Sequence, residues 1–246
     1  MHNFKEDLKE LFLEGILVGE KENPDSFLKR VQKLKKLPLN KFKNPVFGVQ
    51  TVYVTVETKK AFIPWFAAYT KFEYEDGIVI PKIEISPFAP KETIDHELVH
   101  AVKACHEDSI FEEFLAFETS TGLRRLLGPL FFDPWEANIL AITILLGFFV
   151  PFLYIATVGL SLFFALRLWR TRRLFNKALE EISRLFNAKN PLPFALLLSE
   201  REMKLFGSGQ GELALKETET QDTLRYRQIL ALSAIKIPVT YSKNAS

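Results

Sequence analysis

Hydrophobic residues are distributed unevenly along the chain, and the longest apolar stretch lies in its second half. Ala137–Leu166 contains thirty residues without a charged side chain, whereas a helix on the surface of a soluble protein carries polar residues on its exposed face. Trp135 and Trp169 flank the stretch, with arginines close to both, and these residue types are typical of the membrane–water interface. The pattern therefore predicts a membrane segment.

The length of this segment favours a hairpin. A straight helix from Trp135 to Trp169 would be about 50 Å long, against a hydrocarbon core of about 30 Å. Pro151 lies near the midpoint with Gly147 close by, and a reversal there would bring both tryptophans to the same interface. We predict a membrane-inserted helical hairpin, with a single kinked span as the alternative.

The residues on either side of this segment show helical and strand patterns in turn. Apolar residues at helical spacing or proline-free stretches predict helices, and β-branched or aromatic runs next to turn signals predict strands. The predicted strands lie within Val46–Val56, Ala61–Tyr74 and Ile78–Ile85 and should form a small antiparallel sheet. The predicted helices are Lys5–Leu17, Asp25–Leu37, 90–107, Ser109–Leu127, Leu174–Asn187, Ser199–Phe206 and Thr223–Ala234, with Ser199 as an N-cap.

Together these elements predict an α+β protein: a small antiparallel sheet packed on an active-site helix and on an antiparallel glutamate helix, with the membrane hairpin and a C-terminal helical region. The predicted domains are an N-terminal helical region (1–45), a metallopeptidase core (46–130), the membrane segment (131–170) and the C-terminal region (171–246).

Composition narrows the function classes. The net charge of +2 in 246 residues gives no case for a nucleic-acid partner, and the local lysine cluster at 29–43 fits the solvated face of a helix. Cys105 is the only cysteine, so no intramolecular disulfide is possible and its expected role is packing. We predict no cleavable signal peptide and, from the basic flanks of the hairpin, cytoplasmic soluble parts.

The strongest chemical signal is the sequence His96-Glu97-Leu98-Val99-His100. Two histidines four residues apart project from one face of a helix and can bind one metal ion, while the intervening Glu97 can reach a metal-bound water. Such a metal lowers the pKa of its water, and the glutamate serves as general base. The motif predicts a zinc peptidase site with His96 and His100 as ligands and Glu97 as the catalytic base.

A catalytic zinc needs a third protein ligand. If the chain reverses near Asp108-Ser109, the next helix runs back along the first and brings Glu113 within about one turn of His100. His106 is the main alternative, and Glu112 and Glu118 are others.

The span His96–Glu113 resembles a small gluzincin, in which a glutamate in a Glu-x-x-Ala pattern on a downstream helix completes the site. Glu113 and Ala116 match that spacing. Phe117 stands where many such enzymes have Asp or Asn, so a second hydrogen bond to a ligand histidine must come from elsewhere, with Glu112 and Asp108 as candidates.

Two further resemblances lie outside this pattern. His106 occupies the third histidine position of the metzincin motif, but Lys103 replaces the glycine required there. The membrane segment is similar to that of membrane-embedded HExxH peptidases of the HtpX type, and the whole architecture resembles HExxH proteins of chlamydia-like bacteria.

Two more features complete the prediction. The strand Ile78–Ile85 precedes the motif helix and could pair with an extended substrate by β-augmentation, or could be an ordinary core strand. Tyr226, Arg225 and Arg227 are clustered hydrogen-bond donors, and Tyr226 among them is predicted to stabilise the oxyanion. The alternative is a surface helix whose side chains have no catalytic role.

We therefore predict a membrane-associated zinc peptidase whose partners are a peptide or protein substrate and membrane lipid. The alternative is a non-catalytic membrane adaptor with a structural or vestigial metal site.

Overall fold

The computed structural model describes residues 4–42, 46–59, 67–106, 110–132 and 134–233. Within them the helices are α1 (Phe4–Leu13), α2 (Pro24–Leu34), α3 (Lys91–Lys103), α4 (Ile110–Phe117), α5 (Gly122–Leu127), α6 (Pro134–Gly147), α7 (Leu153–Phe186), α8 (Leu192–Leu197), α9 (Glu200–Gly207), α10 (Gly211–Gln221) and α11 (Thr223–Ser233). The strands are β1 (Leu39–Lys41), β2 (Thr51–Tyr53), β3 (Thr55–Thr58), β4 (Ala68–Glu75) and β5 (Ile78–Ile85). The protein is of mixed α+β class, as predicted.

The sheet differs from the antiparallel one that we predicted. β5 is the central strand of a three-stranded sheet, pairing parallel with β3 and antiparallel with β4. β1 and β2 form a separate antiparallel pair. The predicted strand Val46–Val56 is divided at Val54, whose N–H donates to the Pro38 carbonyl and whose own carbonyl accepts from the Asn40 side chain. The alternation of side chains shows which face is buried but not which strand is the partner, so the parallel pairing was not predictable from it.

One buried apolar cluster joins most of the chain. α3 contributes Leu98 and Val99, and α4 contributes Phe111. The same cluster contains Ile182 from the second half of α7, together with the apolar side chains of α8 apart from Pro193. The motif helix is thus fixed on its inner side by a core that extends to the C-terminal helices.

The predicted helix Ser109–Leu127 is interrupted. α4 ends at Phe117, where the Thr119 hydroxyl donates to the Ala116 carbonyl over 2.6 Å. Gly122 then has a φ of +57°, a conformation that favours glycine, and begins α5. A single turn of 3₁₀ helix, Gly128–Leu130, follows.

The C-terminal helices also differ from the prediction in part. Leu174–Asn187 is the second half of α7 and no separate helix. Ser199 is the N-cap of α9, as predicted, and forms a capping box with Glu202. Of the predicted final helix, Ala234 lies outside the described residues.

α6 and α7 contact each other as the arms of a helical hairpin. At its base, Arg167 donates to both carboxylate oxygens of Glu136 over 2.5 and 2.6 Å. At its tip, Gly147 lies so near Tyr154 that an added Cβ would be 2.8 Å from the ring. Within the described residues, one helix, α7, is long and apolar enough to cross a membrane.

Candidate metal centre

Three side chains from α3 and α4 converge on one point. His96 and His100 project from the same face of α3, and Glu113 faces them from α4. The Nε2 atoms of the histidines are 3.3 Å apart, and the Glu113 carboxylate oxygens lie 3.7 Å from His96 Nε2 and 3.5 Å from His100 Nε2. Among the described residues, these three form the one group of His, Cys, Asp and Glu whose donor atoms cluster closely enough to hold a metal ion.

The geometry and the donor types suit zinc. Ligand atoms held tetrahedrally at about 2.0–2.2 Å from zinc lie roughly 3.3–3.6 Å from one another. The three observed separations are close to that range. Two histidines and one glutamate are also a ligand set that leaves a fourth position free for water or substrate, as catalytic zinc sites do.

The second nitrogen of His100 is also held. Its Nδ1 lies 2.6 Å from Glu112 Oε1, so Nδ1 carries the proton and Nε2 is directed towards Glu113. Burial lowers the pKa of His100, but the hydrogen bond to Glu112 and the charges of Glu113, Glu112 and Glu97 outweigh it and raise the pKa to about 9. Glu112 thus supplies the histidine contact for which the sequence offered two candidates; Asp108 lies outside the described residues.

One side of the His96 ring lies against an aromatic side chain. The ring of Phe117 packs edge-on against it, with centroids 4.5 Å apart. Burial, together with the positive charges of His100 and Arg124, lowers the pKa of His96 well below its usual value, and the backbone carbonyl of Ala116 opposes this shift. A neutral imidazole is the form that binds a metal.

Glu97 lies beside the cluster and has a partner of its own. The Thr70 hydroxyl on β4 is 2.8 Å from Glu97 Oε2 and 3.1 Å from the Glu97 carbonyl oxygen. Burial raises the pKa of Glu97, while His100, Thr70 and Arg124 act in the opposite direction. A buried carboxylate oriented by a hydroxyl is suited to accept a proton.

The alternative third ligands are not members of the cluster. His106 is buried with its Nδ1 3.6 Å from Glu20, and it is not part of the cluster. Glu118 pairs with Arg125, and Glu112 contacts His100 Nδ1 and not its Nε2.

The predicted oxyanion donors lie on α11, which packs chiefly on α1, α8 and α10. Arg225 forms ion pairs with Glu202 and Asp222. Within the described residues, no hydrogen bond or ion pair joins Tyr226 to His96, His100 or Glu113.

Sequence reasoning missed two residues near the site. Thr70 lies in a strand without any chemical motif. Arg124 was interpreted only as part of the basic flank of the membrane segment, yet both of its terminal nitrogens lie 3.3 Å from the Thr93 hydroxyl. Thr93 precedes Glu97 by one helical turn, so the guanidinium brings positive charge close to the catalytic candidate.

The sheet topology also changes which strand could bind a substrate. β5 (Ile78–Ile85) is paired on both sides and has no free edge. β4 carries Thr70 and is an edge strand in the three-stranded sheet. The free edge beside the site therefore belongs to β4 in the part of the chain that the structure describes.

Comparisons of the chain with protein-family models, curated proteins and solved structures find no match. The function is consequently inferred from the site itself.

Proposed function

We propose that this protein is a membrane-attached zinc peptidase. The observation that carries the proposal is the convergence of His96, His100 and Glu113 within 4.8 Å, with Glu97 alongside them and held by Thr70. A structural metal site needs no buried, separately oriented carboxylate next to its ligands, whereas hydrolysis needs a base in that position.

The residues divide the chemistry between them. His96, His100 and Glu113 would hold the ion, and zinc when bound supplies a Lewis acid that activates water and polarises a carbonyl. Glu97 accepts the proton of the water whose oxygen attacks the peptide carbonyl carbon. As the carbon–nitrogen bond breaks, Glu97 returns that proton to the leaving amine. The positive charge of Arg124 stabilises the anionic transition state. We do not assign this role to Tyr226, because among the described residues it has no hydrogen bond or ion pair with His96, His100 or Glu113.

The free edge of β4 supports a way of holding the substrate. An extended peptide added to that edge would pair with the strand backbone. Because the Thr70 side chain from this strand reaches Glu97, a peptide on the edge would run past the catalytic base.

The hairpin supports the membrane attachment. Large apolar side chains at its tip are exposed, among them Phe148, Phe149 and Phe152, and nothing in a soluble protein favours that arrangement. The apolar arm Leu153–Leu166 would be about 21 Å long at about 1.5 Å per residue. That length favours insertion into one side of the bilayer, and the basic flanks favour a cytoplasmic location for the soluble parts.

Catalysis is tested with Glu97→Gln, which keeps the size of the side chain and removes the base. We expect the purified variant to retain zinc and to lose cleavage of a fluorogenic peptide library by at least about 100-fold, the lower range for general base catalysis. Glu180→Gln, at an exposed position on α7, is the matched control and should keep full activity.

If the wild-type protein binds zinc and cleaves no member of the library, the peptidase proposal fails and the adaptor alternative gains support. If Glu97→Gln cleaves as fast as the wild type, Glu97 is not the base.

A further inference from the structure

The polarity of α5 is inverted relative to a surface helix of a soluble protein. Leu123, Leu126 and Leu127 occupy one face and are 72%, 50% and 51% exposed. Arg124 and Arg125 lie on the other face and are only partly exposed. A surface helix in water normally turns its apolar face inward, so the environment outside α5 is expected to be apolar.

The charged face of α5 is held by the protein. Arg124 contacts the Thr93 hydroxyl at the start of α3, and Arg125 pairs with Glu118 just after α4. These contacts fix the rotation of the helix about its axis. The leucines are therefore outside because of specific polar contacts on the inner face.

α5 is also hydrogen-bonded to α7 at the base of the hairpin. Arg172 on α7 donates to the carbonyls of Arg125 and Leu126 over 3.1 and 2.6 Å. The 3₁₀ turn after α5 is tied to the same helix, since Arg167 donates to the Leu130 carbonyl over 3.0 Å. The leucine face and the exposed apolar surface of the hairpin thus belong to neighbouring parts of one assembly.

Residue types that are common at the membrane–water interface lie on α7, the helix to which α5 is hydrogen-bonded. Trp169 on α7 is exposed, and Arg173 lies 5.7 Å from the centre of its ring. Among the described residues, no carboxylate pairs with Arg170 or Arg173. Unpaired arginines beside an exposed tryptophan fit the level of lipid headgroups.

We propose that α5 is an interfacial helix that lies in the phospholipid leaflet entered by the hairpin. Its three leucines insert among the acyl chains, and Arg170 and Arg173 contact headgroup phosphates. Lipid is the occupant that these observations favour, because a protein covering α5 would have to share the base of a hairpin that is itself in lipid. The inference rests on the proposed membrane attachment and is independent of the peptidase activity.

The consequence concerns the substrate. Arg124 joins α5 to α3 one turn from Glu97, so the metal cluster would lie about one to two helix diameters, roughly 10–20 Å, from the acyl chains. A site at that height meets peptide segments that emerge from the membrane surface, such as the juxtamembrane segments of membrane-attached proteins.

The test uses the single cysteine of the chain. In a Cys105→Ala background, the full-length protein carries an environment-sensitive fluorophore at Leu126→Cys, at Phe148→Cys in the hairpin tip, or at Leu213→Cys on α10. The last position is 48% exposed, like Leu126, and serves as the matched control. Each protein is reconstituted into phosphatidylcholine vesicles that contain lipids with a spin-label quencher at a shallow or a deep acyl position.

We expect a blue-shifted emission at position 126 that the shallow quencher reduces by at least about twofold, deep quenching at position 148, and no quenching at position 213. Quenching at 148 with a water-exposed label at 126 would overturn the inference while leaving the hairpin in the membrane. No quenching at 148 would overturn the membrane attachment and this inference with it. Each labelled variant must keep the melting temperature of the Cys105→Ala protein, and if the variant at position 126 does not, the α5 label is placed at Leu123→Cys instead.

Discussion

Glu112 Oε1 lies 2.6 Å from His100 Nδ1, on the side of the imidazole ring opposite to the metal cluster. The neighbouring Glu113 reaches the other nitrogen. Two consecutive residues of α4 therefore contact the two nitrogens of the same histidine, and a metal-binding histidine held in this way is expected to depend on both.

Removal of the Glu112 carboxylate should weaken metal binding without abolishing it. We expect Glu112→Ala to lower zinc affinity by about 10–100-fold, the usual effect of losing such a contact. Glu112→Gln retains an acceptor for the Nδ1 proton and should lose less. Competition with a chromogenic chelator measures both, and equal affinity in Glu112→Ala and the wild type would refute the orienting role.

Thr70→Val should separate catalysis from metal binding. The substitution keeps the shape of the side chain but removes the hydroxyl that orients Glu97. We expect unchanged zinc content, a kcat lower by roughly 10-fold for about 1.4 kcal/mol of lost orientation, and little change in KM. Thr55→Val, on another strand of the same sheet, is the control; a loss of zinc in the Thr70 variant would contradict the assignment.

Gly128→Ala should disturb the site from a distance. A Cβ at this position would lie 2.3 Å from the ring of Phe117, and that ring packs against His96. Such crowding costs about 1–3 kcal/mol of unfolding free energy and should also weaken zinc binding. Gly159→Ala on α7 meets nothing within 4 Å and should lower neither quantity in thermal unfolding and chelator assays; alanine inside a helix favours the folded state by about 0.5–1 kcal/mol.

Stability should depend on pH through Glu202. Burial raises the pKa of this carboxyl, but Arg225 and the hydrogen bonds from Thr218, the Ser199 N–H and Arg225 lower it overall. Because the folded-state pKa lies below the unfolded value of about 4.3, the stabilisation is complete above that value and is lost as pH falls through the folded pKa.

We therefore expect the wild type to lose stability on acidification below the unfolded-state value of about pH 4.3. Glu202→Gln should be less stable at pH 7, because it leaves Asp222 as the one carboxylate paired with the buried Arg225. The loss should stay below the about 3–5 kcal/mol that a fully unpaired buried charge costs, and the stability of the variant should depend less on pH in this range. Denaturant unfolding in detergent micelles measures the difference, and parallel pH curves for the two proteins would count against the ion pair.

Sequence periodicity predicted the parts of the site that depend on local geometry. The spacing of His96 and His100 fixes both on one helical face, and a short turn limits where Glu113 can be. Thr70 could not be predicted, because its contact with Glu97 depends on where β4 pairs in the sheet. The same reason explains the wrong sheet prediction: register and partner choice depend on tertiary contacts that alternation does not encode.

The orientation of α5 also escaped prediction. Leu123, Leu126 and Leu127 recur at helical spacing, which normally indicates a core face. Only the contacts of Arg124 with Thr93 and of Arg125 with Glu118 show that this face points outward. The local pattern predicts an amphipathic helix, and the polar contacts determine which face of that helix points outward.

Zinc content per chain is the measurement that decides whether His96, His100 and Glu113 form the metal centre. Wild-type protein and His106→Ala should each hold one zinc after dialysis against metal-free buffer. His96→Ala, His100→Ala and Glu113→Ala should each lose most of it. Retention of zinc by Glu113→Ala, or its loss in His106→Ala with preserved folding, would mean that a different set of residues binds the metal.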